Sequence, residues 1–223
     1  MASGPRSRLK TGMAKVRVAV GLAVLAPLIT FAAILLTRNG VVSLGFGLDE
    51  LTLRIAQIVA WIALGFSMMS LGMSLGDFRR LGGISVVVLL VCAAITAAFF
   101  VQSRALAVVG SLDASTDLAE PPAVPGASGA PQSCSGVAAV QTQVAPAAAT
   151  AALQAAGFTV TENQLFRARG VRGGFWFGME HEAVIRIRPD RTDVRVVARY
   201  DHADGGATCR IAAQLIAELQ PTP

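Results

Sequence analysis

Three apolar stretches, each long enough to cross a bilayer, fill the first 103 residues of this chain, and the segment that follows holds no further hydrophobic span. Such a pattern predicts a membrane anchor carrying a water-exposed domain. The first stretch, 16–37, is interrupted only by Pro27 and by Arg17 at its start. At a rise of about 1.5 Å per residue its 22 residues cover a hydrocarbon core about 30 Å thick. The second, 55–76, holds no ionisable residue, follows Arg54, and precedes Asp77, Arg79 and Arg80. The third is 83–101, with Gln102 and Arg104 at its exit. The first stretch exceeds the roughly 7–15 apolar residues of a signal peptide and precedes two more spans. No clean small-x-small cleavage site follows it, so it reads as a retained anchor.

Basic residues beside the spans set the expected orientation. The leader, residues 1–15, and its junction carry Arg6, Arg8, Lys10, Lys15 and Arg17, and the second loop carries Arg79 and Arg80. The first loop offers Arg38 and Arg54 against Asp49 and Glu50. Basic flanks stay cytoplasmic, so three spans place the C-terminal region on the far side, the periplasm of a bacterial inner membrane. The same distribution explains the net charge of +5. Residues 1–104 hold 10 Lys and Arg against 3 Asp and Glu, and residues 105–223 hold 9 against 11. The positive charge thus belongs to topology, which argues against a nucleic-acid partner and for membrane lipids.

The spans themselves carry little chemistry. No Asp, Glu, His, Lys or Arg lies mid-span, which argues against an ion pump or a proton relay. Gly72 and Gly76 are spaced to let another backbone approach, although glycine is common in such helices. Met68, Met69 and Met73 lack Cys or His partners and read as packing.

Beyond Arg104 the composition changes. Within 105–145 the run from 119 onward is dense in Ala, Pro, Gly and Ser, which predicts an extended segment. A compact α+β domain is expected over 146–223. Pro146 and Gly157 bracket a helix, and strand patterns follow at 158–161, 165–169, 175–177, 183–188 and 192–200. A last helix over 207–219 carries Ile211, Leu215 and Leu219 on one face. This order predicts a small antiparallel sheet with two helices packed on one face.

Alternation along the strands is the second constraint. With Ala183, Ile185 and Ile187 inward, with Val194, Val196 and Ala198 inward, and with Phe166 and Ala168 inward, one outward face collects Arg167, Arg169, Arg186, Arg188, Arg195 and Arg199. Guanidinium forks suit phosphate or carboxylate, so this is a candidate anion-binding face. The alternative is an ordinary solvated face in which Glu182, Asp190 and Asp193 balance the charge.

The stretch FGMEHEAVIRIRPDRTDVRVVARYDHADGGATCRI, with DASTDLAEPP upstream, resembles the bacterial domain-of-unknown-function family 1499. The resemblance covers about 110–219 and rests most on the run from Asp193 to Arg195, Arg199 and Asp204, ending in Arg210 and Ile211. Asp117, Arg186 and Gly206 also match the family pattern. Val196, Ala198, His181 and Thr208 depart from it, and the interval from Asp204 to Arg210 is one residue short. The family implies membrane-anchored members and no assigned activity. Structural roles suffice for several matched positions: Asp204 as a helix cap, Gly206 in a turn, Arg199 paired with a carboxylate.

Cys92 falls in the third span, whereas Cys134 and Cys209 fall on the predicted oxidising side, either as a disulfide or as two thiols. His181, His202, Glu180, Glu182, Asp201 and Asp204 show no ligand spacing, so neither a metal nor another cofactor is expected. No Ser-His-Asp or Cys-His set has a motif context, and Gly170 to Gly174 lacks the Lys-Ser/Thr of a phosphate loop. Taken together, the residues predict a multi-pass inner-membrane protein presenting a periplasmic binding or scaffolding domain to an anionic envelope component or an envelope protein. One alternative is an enzyme on lipid or cell-wall substrates, with Asp193, His202 and Asp204 as acid-base candidates. The other is an accessory subunit of a membrane complex.

Overall fold

The computed structural model describes residues 5–74, 82–107, 110–127, 129–174 and 176–220, without the side chains of 5–16, 73 and 74. The chain divides into two compact units, Met1–Arg104 and Ala105–Pro223. The first contains α1 (Pro5–Arg38), α2 (Gln57–Ser74) and α3 (Gly83–Leu106), with a π-helical stretch, Phe46–Ala56, leading into α2. Among the described residues, three helical segments are long and apolar enough to span a membrane: Arg17–Arg38, Phe46–Gly72 and Gly83–Leu106.

The second span starts earlier than hydropathy alone suggests. Asp49, Glu50 and Arg54 make residues 46–54 look like loop, yet Glu50 and Arg54 lie one helical turn apart and pair at 3.1 Å. Neutralising each other at a helix end is how such residues remain in a span. The packing seam consists of small residues. Ala19, Ala23, Ala26 and Ala33 are buried along one side of α1, and Ala60, Ala63, Ser67 and Ser70 along one side of α2. These spacings let helices approach closely in lipid, where apolar side chains gain nothing by leaving hydrocarbon. The Thr96 hydroxyl of α3 lies 2.8 Å from the Cys92 carbonyl and 3.3 Å from that of Ala60. Gly72, singled out for its spacing to Gly76, is exposed instead. Gly76, Asp77, Arg79 and Arg80 lie outside the described residues.

The second unit is built on one antiparallel sheet of β1 (Asp113–Ser115), β2 (Thr159–Gln164), β3 (Arg167–Gly173), β4 (Glu180–Ile187) and β5 (Thr192–Ala198). The strand order is β1-β5-β4-β3-β2, with every neighbour antiparallel. Two helices, α4 (Pro146–Ala155) and α5 (Ala207–Leu219), cover one face. Leu153, Phe158, Ile185, Val196, Ile211 and Leu215 are among the side chains of the core between helices and sheet. Gly170 permits a close approach there: a Cβ would stand 2.9 Å from that of Phe158 and 3.2 Å from the Thr159 carbonyl.

Three expectations need correction. Alternation puts Phe166 inward with Ala168, but β3 begins at Arg167, so Phe166 and Leu165 sit in the β2–β3 turn, exposed. The 175–177 strand does not form: Trp176 and Phe177 lie in a turn before Glu180, and Phe175 lies outside the described residues. Composition placed the start of the compact part near Pro146, yet Asp113–Ser115 is an edge strand on β5. Val124, Cys134, Val140 and Val144 are buried as well. The Pro-rich run is extended in backbone and is held as a strap over the sheet by contacts that composition does not encode.

Candidate functional site

Register gathers the arginines on the sheet face opposite the helices. Arg167 pairs across β3 and β4 with Arg186, Arg186 with Asp193 across β4 and β5, and Arg169 and Arg195 both oppose Val184. The strap lies over this face. Asp117 Oδ2 is 3.0 Å from Arg186, 3.4 Å from Arg188 and 2.6 Å from Arg191. Asp113 receives both Nε and Nη2 of Arg195, at 2.9 and 2.6 Å, a bidentate fork. Buried Asp193 meets Arg186 at 2.9 Å and Arg188 and Arg191 at 3.5 Å. Glu182 pairs with both Arg169 and Arg199, and Glu162 with Arg167 at 3.9 Å. Backbone carbonyls of Glu120, Pro122, Ala123 and Pro125 accept further arginine donors. Val124, Val184 and Val197 form a small apolar cluster beneath the strap.

Asp117 is the keystone of this network. Backbone N–H groups of Glu120 and Ala119 donate to its Oδ1. The Glu120 N–H has the largest effect on its carboxyl, burial opposes it, and Arg191, the Ala119 N–H and Arg186 reinforce it; the net result is a pKa below the usual carboxylate value. Three candidates, Asp117, Asp193 and Glu182, thus serve as counter-charges to the arginines. The role of Arg191 went unread in the sequence, because it sits in the β4–β5 turn rather than on a strand pattern.

The other face ends in a cleft. On β3 the inward series Ala168, Gly170 runs on to Arg172; on β4 the series Ile187, Ile185, Ala183 runs back to His181; after β5, Val196 and Ala198 lead to Tyr200. Arg172 and His181 are direct register partners, and His181 pairs with Ala198. Three apolar series therefore close on polar residues at the same end of the sheet. Against it packs the start of α5, with Asp204, Arg210, Ile211 and Gln214. The resulting cavity, also lined by Met179, measures about 340 Å³.

Inside the cleft the hydrogen bonds are specific. The Tyr200 hydroxyl lies 2.8 Å from His181 Nε2, and Asp204 Oδ2 lies 3.8 Å from the same nitrogen. Asp204 accepts the Gly206 N–H at 2.7 Å on one oxygen, and the Thr208 N–H and hydroxyl at 2.7 and 2.6 Å on the other. It caps α5 from two residues upstream of Gly206, which has φ of 80°, a left-handed conformation that favours glycine. Burial is the largest influence on the Asp204 carboxyl and pushes its pKa up. The nearby His181 ring and the hydrogen bonds from Thr208 and Gly206 together outweigh it and hold the group well below the usual carboxylate range. Burial and the Asp204 charge push the Tyr200 phenol above its ordinary value. Arg172 donates one nitrogen to the Ala156 carbonyl at 2.8 Å, and Arg210 one to that of Gly205 at 2.6 Å.

Residues 113–219 match the family described as Protein of unknown function (DUF1499). This segment is a DUF1499 domain. No curated protein and no solved structure matches the chain. The matched segment begins at β1 and ends with α5, so the DUF1499 domain includes the strap as well as the sheet and both helices. Within it, Asp113, Asp117, Asp193 and Arg195 belong to the strap face, while Asp204 and Arg210 belong to the cleft. Gly206 shapes the turn into α5. Cys134 and Cys209 form a disulfide that joins the strap region to α5, with Cα atoms 5.6 Å apart. Cys92 is a free, buried thiol in α3. Among the described residues no three His, Cys, Asp or Glu side chains gather as metal ligands. The sequence offers Asp204 as a helix cap, an acid-base group or a metal ligand and His181 as a metal ligand, whereas Arg172 and Tyr200 belong to no motif. The available signal was positional: each ends an apolar alternation with a polar side chain.

Proposed function

We propose that this protein is a three-span inner-membrane protein that holds its DUF1499 domain in the periplasm as a binding module for an anionic envelope component. Basic residues before the first span and between the second and third favour an N-terminus in the cytoplasm. The Cys134–Cys209 disulfide suits the oxidising side of that membrane. The observation that carries the binding reading is the cleft, where Arg172 and Arg210 converge on a cavity of small-ligand size.

Recognition is favoured over turnover by the state of the neighbouring groups. A general acid or base works best with a pKa near the working pH. Asp204 is shifted downward and Tyr200 upward, each away from neutrality, and Asp204 is committed to three donors of the α5 turn. The candidate face of Arg167, Arg169, Arg186, Arg188, Arg195 and Arg199 is engaged by the strap, so the ligand is assigned to the cleft instead. The test is to extract full-length protein in native membrane discs and identify co-purifying molecules by mass spectrometry, comparing wild type with Arg172→Glu/Arg210→Glu. An anionic envelope component retained by wild type and lost by the variant supports the reading. Identical contents in both would overturn it.

A further inference from the structure

Two arginines of the soluble unit differ from all its others. The seven arginines on the strap-covered face, including Arg191, each pair with a carboxylate. Arg172 and Arg210 line the cleft, and among the described residues neither makes an ion pair; each gives one nitrogen to a backbone carbonyl. A guanidinium carries five N–H donors, so both forks keep most of their capacity. The one carboxylate in the cleft, Asp204, has its oxygens occupied by Gly206 and Thr208. The cleft therefore presents two positive charges against one internally satisfied negative charge.

From this we infer that the cleft binds a phosphoryl oxyanion carried on a small hydroxylated group. The inference rests on the binding-module reading and names its ligand class. Two planar forks, one from β3 and one from α5, are met better by the tetrahedrally disposed oxygens of a phosphoryl group than by the coplanar pair of a carboxylate. The Tyr200 hydroxyl, the His181 ring and the Gln214 amide line the same cavity and offer both donors and acceptors for hydroxyl groups. Ile211 and Met179 supply an apolar wall. The volume of about 340 Å³ suits a glycerol phosphate or a lipid headgroup.

The experiment is calorimetric titration of the full-length protein in phosphatidylcholine discs with glycerol 1-phosphate and, separately, with succinate. The expected result is saturable binding of glycerol 1-phosphate, tighter than succinate. Arg172→Gln and Arg210→Gln should each weaken it about tenfold or more, as for loss of a charge-assisted hydrogen bond. Glu218→Gln, on an exposed position of α5, should leave it unchanged. Arg172→Lys and Arg210→Lys keep the charge without the fork and should give intermediate affinities, a check that remains readable if a glutamine variant fails to fold. Repeating the titration in discs containing phosphatidylglycerol separates the sources. Competition by that lipid identifies a headgroup, and its absence identifies a soluble phosphate ester. Arginine-dependent binding of succinate equal to or tighter than the phosphate would overturn the phosphoryl assignment and leave a binding module. No arginine-dependent binding of either probe would remove both.

Discussion

At the residue scale, Asp204 and Asp117 organise the two faces of the sheet, and each gives a separable prediction. Asp204 satisfies two N–H groups at the start of α5 and the Thr208 hydroxyl, so Asp204→Ala should destabilise the domain by about 1–3 kcal/mol, read by thermal or urea unfolding. Its pKa is lower in the folded protein than in the unfolded chain. The stabilisation is therefore complete above the unfolded value, about 4, and is lost as pH falls below it. The gap in melting temperature between wild type and Asp204→Asn should accordingly narrow as pH drops from 6 toward about 3. A gap independent of pH would contradict the assignment of an ionised carboxylate. Asp117→Ala should cost about 2–4 kcal/mol, because Arg186, Arg188 and Arg191 then converge with less counter-charge. That range is reduced from the buried-pair value because the three guanidiniums are about a quarter to a third exposed. Added salt should recover part of this loss in the variant. Both carboxylates were visible as residues; their partners were not, because Asp117 reaches across nearly 70 positions to Arg186.

At the element scale, regular patterns were legible and irregular ones were not. The last helix matches its apolar spacing and lies where Ile211, Leu215 and Leu219 require. The alternation of β4 and β5 placed Ala183, Ile185, Val194 and Val196 correctly against the helices. The strap was hidden because a Pro- and Gly-rich run has no period, and what fixes it is tertiary: guanidiniums from three strands, a small valine cluster and one disulfide. The cleft is hidden for a related reason: hydrophobic alternation carries no signal beyond the last apolar residue of each strand. The disulfide gives a prediction at this scale. It links positions 75 residues apart, so Cys134→Ser/Cys209→Ser should lower stability by about 2–5 kcal/mol. Because Cys209 lies on α5 beside Arg210, the cleft should also become more open to hydrogen exchange around the N-terminal turn of α5. Unchanged melting under reducing and oxidising conditions would contradict the bond as a structural tie.

At the scale of the whole molecule, three apolar helices make this a membrane protein, and its DUF1499 domain carries one face closed by its own strap and a cleft lined by two arginines that make no ion pair among the described residues. The number of spans was readable from hydropathy. Their packing was not, since a small-residue seam in α1 and α2 differs little in composition from other apolar helix faces. The functional account depends above all on the side of the membrane the domain faces, because only the periplasmic side offers both an oxidising environment and envelope ligands. The most direct measurement places a reporter thiol at Glu218→Cys, an exposed site on α5, where the native cysteines of the domain are already paired and Cys92 is buried. A membrane-impermeant maleimide is then applied to cells with a permeabilised outer membrane and an intact inner membrane. Labelling before lysis at the level reached after lysis is the predicted result. Labelling that appears only once the inner membrane is broken would place the domain in the cytoplasm and contradict the account.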